Sequence, residues 1–171
     1  KLGGGEMTPA SDLDLIFIYG TPDDAPDGAT MSDGAKPLDP AHYYARLSQR
    51  LISALTVQTA EGPLFQVDMR LRPSGNAGPI ASHIDGFVRY HHDQAWTWEH
   101  MALTRARPVA GSRKLCDRIT AEIRTILCRE RDPLRLVADI ADMRTRVARE
   151  HASQSPFNVK YARGGLIDVE F

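Results

Sequence analysis

The 171-residue sequence is poor in the features that would place it in a special class. It has only two cysteines, Cys116 and Cys128. On one helix their twelve-residue spacing sets them about 18 Å apart, too far for a disulfide. Without a disulfide framework the natural compartment is reducing, and a cytoplasmic location is expected. No run approaches the roughly 20 apolar residues that cross a bilayer, and no secretory leader is visible, so no membrane partner is expected. The formal net charge is -1, and there is no basic stripe, which argues against a nucleic-acid partner. His91 and His92 lack the spaced partners of a zinc site and read as surface histidines. No internal repeat appears. Both ends read as cuts, because Lys1 is not an initiator Met and the apolar run to Phe171 ends without a turn or cap. The expectation is an excised piece of a longer protein. What is present is ordinary globular composition, 42% hydrophobic and 25% charged, enough for one domain or a small domain plus part of another.

Within that plain background, the stretch Ser11-Asp12-Leu13-Asp14-Leu15-Ile16-Phe17 stands out. In an extended strand, residues two apart share a face. Asp12 and Asp14 then aim at one spot while Leu13 and Leu15 aim at the core. Paired like charges are costly unless something positive lies between them, and a hard divalent cation takes such oxygen ligands. Gly3-Gly4-Gly5 lies just upstream and permits close backbone approach to a ligand. A solvated strand start, with Asp12 capping a turn, is the alternative reading of the pair.

The rest of the chain reads as alternating elements. Residues 12–19 form a buried strand. Residues 20–39, rich in Gly, Pro and Asp, form a long flexible connection. Asp39 caps a helix with Pro40 in its first turn, and Tyr44, Leu47, Leu51 and Leu55 make its core stripe. After Gly62-Pro63, a second strand runs from Leu64 to about Leu71. A Gly/Pro loop spans Pro73 to Pro79. Ser82 caps a helix toward His92, and residues 93–107 are helical again. Ile119, Ile123, Ile126 and Leu127 stripe one further helix, and Leu136, Ile140, Met143 and Val147 another. Gly164-Gly165 makes a turn before a short alternating strand that holds Asp168 and Glu170.

Val67-Asp68-Met69-Arg70-Leu71-Arg72 is the second informative stretch. Asp68 interrupts an apolar strand, with Arg70 and Arg72 on its face. If this strand pairs beside residues 12–17, Asp68 joins Asp12 and Asp14. Three carboxylates can hold one or two magnesium ions, completed by phosphate oxygens and water. Arg70 and Arg72 offset the charge or grip phosphates, and the backbone of Gly3 and Gly4 together with Ser11 touches the phosphate chain. The chemistry expected is nucleotidyl transfer from a nucleoside triphosphate. Asp12 and Asp14 hold metal, and Asp68 activates the acceptor hydroxyl directly or through a metal. Arg105 reaches the phosphates if it shares a face with Trp98 or Met101. Trp96 and Trp98 are read as packing on the sheet, and Glu99 and His100 as a polar network near the site.

These residues carry a resemblance. Lys1-Leu2-Gly3-Gly4-Gly5-Glu6-Met7 with Ser11-Asp12-Leu13-Asp14-Leu15, then Val67 to Gly75, resembles the glutamine synthetase adenylyltransferase family. Gln94-Ala95-Trp96-Thr97-Trp98-Glu99-His100 with Leu103, Arg105, Ala106 and Arg107 is similar again, as is Gly164 to Phe171. Gly5 departs from many members. The resemblance implies an α/β (α+β) fold, a nucleotidyltransferase-like mixed sheet backed by helices, over residues 1–110. Residues 111–171 would open a second, helical domain. It implies Asp12, Asp14 and Asp68 as the metal carboxylates, with Mg2+ as cofactor and ATP as substrate. Members carry two catalytic halves. The C-terminal one transfers AMP from ATP to a tyrosine of glutamine synthetase, and the N-terminal one removes it by phosphorolysis. Glutamine and the PII signalling protein are the implied effectors. Pro73-Ser74-Gly75-Asn76-Ala77-Gly78-Pro79 with Trp96 to His100 resembles the adenylylating half. In the other half a phenylalanine is expected at Ser74 and a different residue at Thr97. The deadenylylating half, an inactive regulatory module and a nucleic-acid polymerase of the same superfamily are the rival readings.

Overall fold

A computed structural model describes residues 3–5, 7–8, 11–21, 31–151, 155 and 157–170. The elements follow as β1 (Leu13–Asp14), β2 (Phe17–Tyr19), α1 (Pro40–Thr56), β3 (Gln58–Thr59), β4 (Gly62–Pro63), β5 (Val67–Asp68) and β6 (Ala81–His83). After them come α2 (Ile84–Asp93), α3 (Thr97–Leu103), α4 (Arg113–Cys128), α5 (Pro133–Glu150) and α6 (Leu166–Glu170). The class is mixed α/β, as expected. β1 pairs with β5 and β2 with β6, both parallel, while β3 and β4 form a small antiparallel hairpin. Parallel partners need a long crossover, and α1 lies within it.

Local chemistry explains most of the boundaries. The Asp39 carboxylate accepts from His42 N at 3.1 Å, and Pro40 takes the first helical position of α1. Asp132 does the same for α5, accepting from Leu134 N at 2.9 Å ahead of Pro133. β5 stops at Asp68 because its own carboxylate captures Arg70 N at 2.8 Å. That local bond competes with further ladder pairing. The second strand is therefore shorter than the run to Leu71 expected from sequence.

Other boundaries also differ from the sequence reading. Residues 12–19 form two short strands rather than one, and each pairs with a different partner. Ser82 lies inside β6, and His83 caps α2 by accepting from Asp85 N at 3.3 Å. The helix expected over 93–107 is confined to α3, which Glu99 opens by accepting from Trp96 N at 2.8 Å. The segment after Gly164-Gly165 is helical, not a strand. The expected connection over 20–39 lies partly outside the described residues.

The core is Ile84, Phe87, Leu103, Ile123 and Ile126, flanked by Ile16, Ile18 and Leu115. Complete burial of each such side chain contributes about 1.5–3 kcal/mol. α4 supplies Ile123 and Ile126 to the same core as α2 and α3. The α1 stripe behaves differently from the expected core positions. Leu47 and Leu51 remain about half exposed, and Leu51 and Leu55 line a cavity of about 560 Å³ under β1 and β2. Among the described residues no helix is long and apolar enough to cross a membrane.

Candidate active site

β1 and β5 bring the acidic residues together. Their register sets Leu13 beside Val67 and Asp14 beside Asp68, held by Leu13 N to Gln66 O at 2.8 Å and Leu15 N to Asp68 O at 3.0 Å. Side chains paired across neighbouring strands share a face. Leu13 is buried, while Asp12 and Asp14 on either side of it are exposed. The carboxylates therefore line one sheet edge and the leucine anchors it from the other side.

Arg70 braces this edge. Its Nε and NH2 donate to Asp68 Oδ2 at 2.7 and 2.5 Å. The hydrogen bond from Arg70 holds the Asp68 carboxyl below its ordinary range, with the charges of Arg70 and Arg72 adding to it. Reciprocally, Asp68 raises the Arg70 guanidinium, first by hydrogen bonding and then by charge, and the charges of Asp14 and Asp12 add to the effect. The three carboxylates thus act on one cation. Arg70 reaches Asp68 through a turn rather than along a strand. Arg72 is buried and serves the loop instead, donating from NH1 to Met69 O at 2.7 Å and from Nε to Gly78 O at 3.4 Å.

Among the described residues, no group of three His, Cys, Asp or Glu side chains forms a ready-made metal cage. Asp14 and Asp68 nevertheless offer carboxylate oxygens side by side, the donor type that a hard divalent ion takes.

The remaining candidates lie around this edge. Ser11 is 2% exposed, and its hydroxyl is taken up locally by Thr8 N at 3.0 Å and Thr8 Oγ1 at 2.9 Å. Gly4 is exposed in the turn over residues 3–5. A Cβ on Gly3 would lie 1.8 Å from the Arg105 carbonyl oxygen, so the close approach that requires glycine is to protein backbone. Arg107 Nε donates to Gly3 O at 2.8 Å. Arg105 lies just beyond α3 and is ion-paired with Glu170. Gly3, Asp14 and Arg105 all line the 560 Å³ cavity. Lys1, Leu2, Glu6 and Phe171, which belong to the quoted motifs, lie outside the described residues.

Between α2 and α3 the polar groups are internal. Tyr90 Oη donates to Glu99 Oε1 at 2.8 Å, and His100 Nε2 donates to the His91 carbonyl at 2.9 Å. His91 is 1% exposed, not the surface residue expected, and packs on Phe87 with centroids 4.5 Å apart. Burial pushes its imidazole down to about 4, helped by the charges of His100 and His92. His92 is exposed as expected. Trp96 does not pack on the sheet and is 71% exposed, and Trp98 is also exposed.

The Arg105–Glu170 and Arg144–Asp168 pairs were not legible in the sequence. Their only signal is the recurrence of carboxylates after a Gly-Gly turn, which names no partner.

The sequence that builds the glycine turn and the acidic strand pair has counterparts among known proteins. The glutamate-ammonia ligase adenylyltransferase family model matches residues 1–122, and the chain belongs to that family. Over all 171 residues it is 50% identical to the bifunctional glutamine synthetase adenylyltransferase/adenylyl-removing enzyme of Mesorhizobium japonicum. Enzymes of the same description from Bradyrhizobium sp. strain ORS 278 and Brucella suis biovar 1 are 53% and 50% identical over the same span. The whole chain is covered in each case, and it spans 17% of the length of each relative.

Proposed function

We propose that this chain carries the adenylylating site of a bifunctional enzyme, moving AMP from ATP to a tyrosine hydroxyl of glutamine synthetase. The observation that best supports nucleotidyl transfer is the β1–β5 register, which sets Asp14 beside Asp68, and the choice of the adenylylating half rests on the resemblance of Pro73 to Pro79 and Trp96 to His100. Residues 1–110 are the catalytic core of the proposal and residues 111–171 its helical extension. Glutamine and the PII protein act as effectors of the parent protein, in the cytoplasm, so that synthetase activity falls with nitrogen sufficiency.

Asp12, Asp14 and Asp68 would hold Mg2+, which when bound neutralises phosphate charge and eases loss of the acceptor proton. The tyrosine hydroxyl gives its proton to solvent water as its oxygen bonds to the α-phosphorus, and the bond from that phosphorus to the pyrophosphate oxygen breaks. Pyrophosphate leaves with the bonding pair. Asp68 is ionised and held as a weak base by Arg70, which favours its ligand role over direct proton abstraction. Arg70, once drawn from Asp68 by the nucleotide, and Arg105 contact phosphate oxygens. Gly3, Gly4 and Ser11 shape the loop against the phosphate chain, and Arg72 holds the following loop.

The test uses the full-length parent protein, purified glutamine synthetase, α-labelled ATP and magnesium. An Asp12→Asn/Asp14→Asn variant is expected to lose labelling of the synthetase while keeping the wild-type circular dichroism. Normal labelling with lost phosphorolytic release of AMP would assign this segment to the adenylyl-removing half. Loss of neither activity would make it a regulatory module.

A further inference from the structure

The Gly164-Gly165 segment ends in two carboxylates that do separate jobs. On a helix, residues two apart point to different sides, and Asp168 and Glu170 meet different arginines. Asp168 pairs with Arg144 of α5, with side chains 24% and 22% exposed, and also accepts from Gly164 N at 2.5 Å. Leu166 N to Val159 O at 2.9 Å and Ile167 N to Lys160 O at 3.1 Å fix the start of α6. A Cβ on Gly165 would lie 2.4 Å from Val159 O, so this seat admits only glycine. α6 is anchored independently of Glu170, which reaches across to Arg105.

Arg105 in turn supports the glycine turn. Its carbonyl fills the space where a Gly3 side chain would be, and Arg107 donates to Gly3 O at 2.8 Å. Arg105, Gly3 and Asp14 border one cavity. Glu170 Oε1 engages Arg105 through NH1. A guanidinium has five N–H donors in a planar fork, so a second edge can serve an anion.

We propose that Glu170 is a positioning residue for nucleotide phosphate: anchored through α6, it holds Arg105 and the strap under the Gly3 turn in their phosphate-binding arrangement. The inference rests on the nucleotidyl-transfer reading above. Pre-holding a long cationic side chain lowers the entropy lost when phosphate binds, so the effect falls on ATP binding rather than on acceptor binding.

The test is steady-state transfer of AMP from ATP to glutamine synthetase by the full-length parent protein. Glu170→Gln is expected to raise KM for ATP about fivefold, with kcat and the KM for the synthetase within about twofold. Glu170→Asp, which keeps the charge, is expected to recover most of that loss, and the Tm of both variants stays near wild type because the pair is half exposed. An ATP KM within twofold of wild type in Glu170→Gln overturns the proposal. So does a parallel rise of both KM values with a lowered Tm in both variants, which marks a scaffold role. Asp14→Asn is run alongside. If it abolishes transfer while Glu170→Gln is silent, only the positioning role falls. If Asp14→Asn leaves transfer intact, the nucleotidyl-transfer reading falls first and takes this one with it.

Discussion

At the edge of β1 and β5, Asp12 and Asp14 are exposed, and Asp68 is held ionised by Arg70. Between α2 and α3, a few residues of chain away from solvent, His91 is held neutral. Both regions gather titratable side chains, but by opposite routes. The edge leaves its charges in high dielectric, where repulsion among carboxylates is weak and a cation offsets it. The core excludes water and so removes the charge itself. Among the described residues neither ring nitrogen of His91 has a hydrogen-bond partner, and its ring packs tilted or edge-on against those of Phe87, Tyr90 and His100. The difference separates a charged, solvent-facing edge from polar groups that serve packing.

The sharpest way to break this contrast is at Asp68. Asp68→Asn keeps the shape and removes one negative charge. Transfer activity of the parent protein is expected to fall roughly 10²–10³-fold, a magnitude typical of losing one preorganised electrostatic group. Thermal unfolding should move little. A large loss of Tm with modest loss of activity would make Asp68 a structural residue like those of the core.

The core makes the opposite prediction, in stability rather than rate. The unfolded His91 titrates near 6.5 and the folded one near 4. Between these values the unfolded chain binds a proton that the folded chain refuses. The stabilisation is therefore fully present above about pH 6.5 and is lost as pH falls toward 4, by roughly 3 kcal/mol across the window. Urea unfolding at pH 7.5 and 4.5 measures it. His91→Phe should flatten this part of the pH dependence, and an unchanged profile in that variant would remove His91 as its source.

The smallest effect is expected at Arg70. Its side chain is 76% exposed, so Arg70→Ala should leave the unfolding midpoint close to wild type. A marked loss in a urea titration would mean that the edge depends on the Asp68–Arg70 pair for its fold, as the core depends on its contacts.

How much of this could be read from residues alone differs by location. The shared face of Asp12 and Asp14 follows from the two-residue period of a strand, and the caps at Asp39 and Asp132 follow from residue type. The partnership of Asp68 with Asp14 needed a long-range pairing that no local pattern specifies. The course of Arg72 was hidden because strand periodicity ends where the Asp68 carboxylate captures Arg70 N. Asp168 and Glu170 alternate with apolar residues in a way that suits a strand. The tertiary pull of Arg144 and Arg105, with the Gly164 turn, decides for a helix. His91 reads as polar by type, and only its place on the inner face of α2 shows that it is packed as an apolar group.

The parallel pairing of β1 with β5 has a consequence for the order in which the molecule is built. Asp14 and Asp68 belong to segments separated by all of α1 and the β3–β4 hairpin. The chain between them must be closed into a loop before either strand gains a partner, and that closure entropy is lost before the contacts offset it. Local helices such as α4 and α5 need no such closure. Asp68 is therefore expected to join Asp12 and Asp14 late on the folding path, and a partly folded chain keeps it apart from that local pair. Asp14 and Asp68 come to lie side by side only with the finished β1–β5 pair.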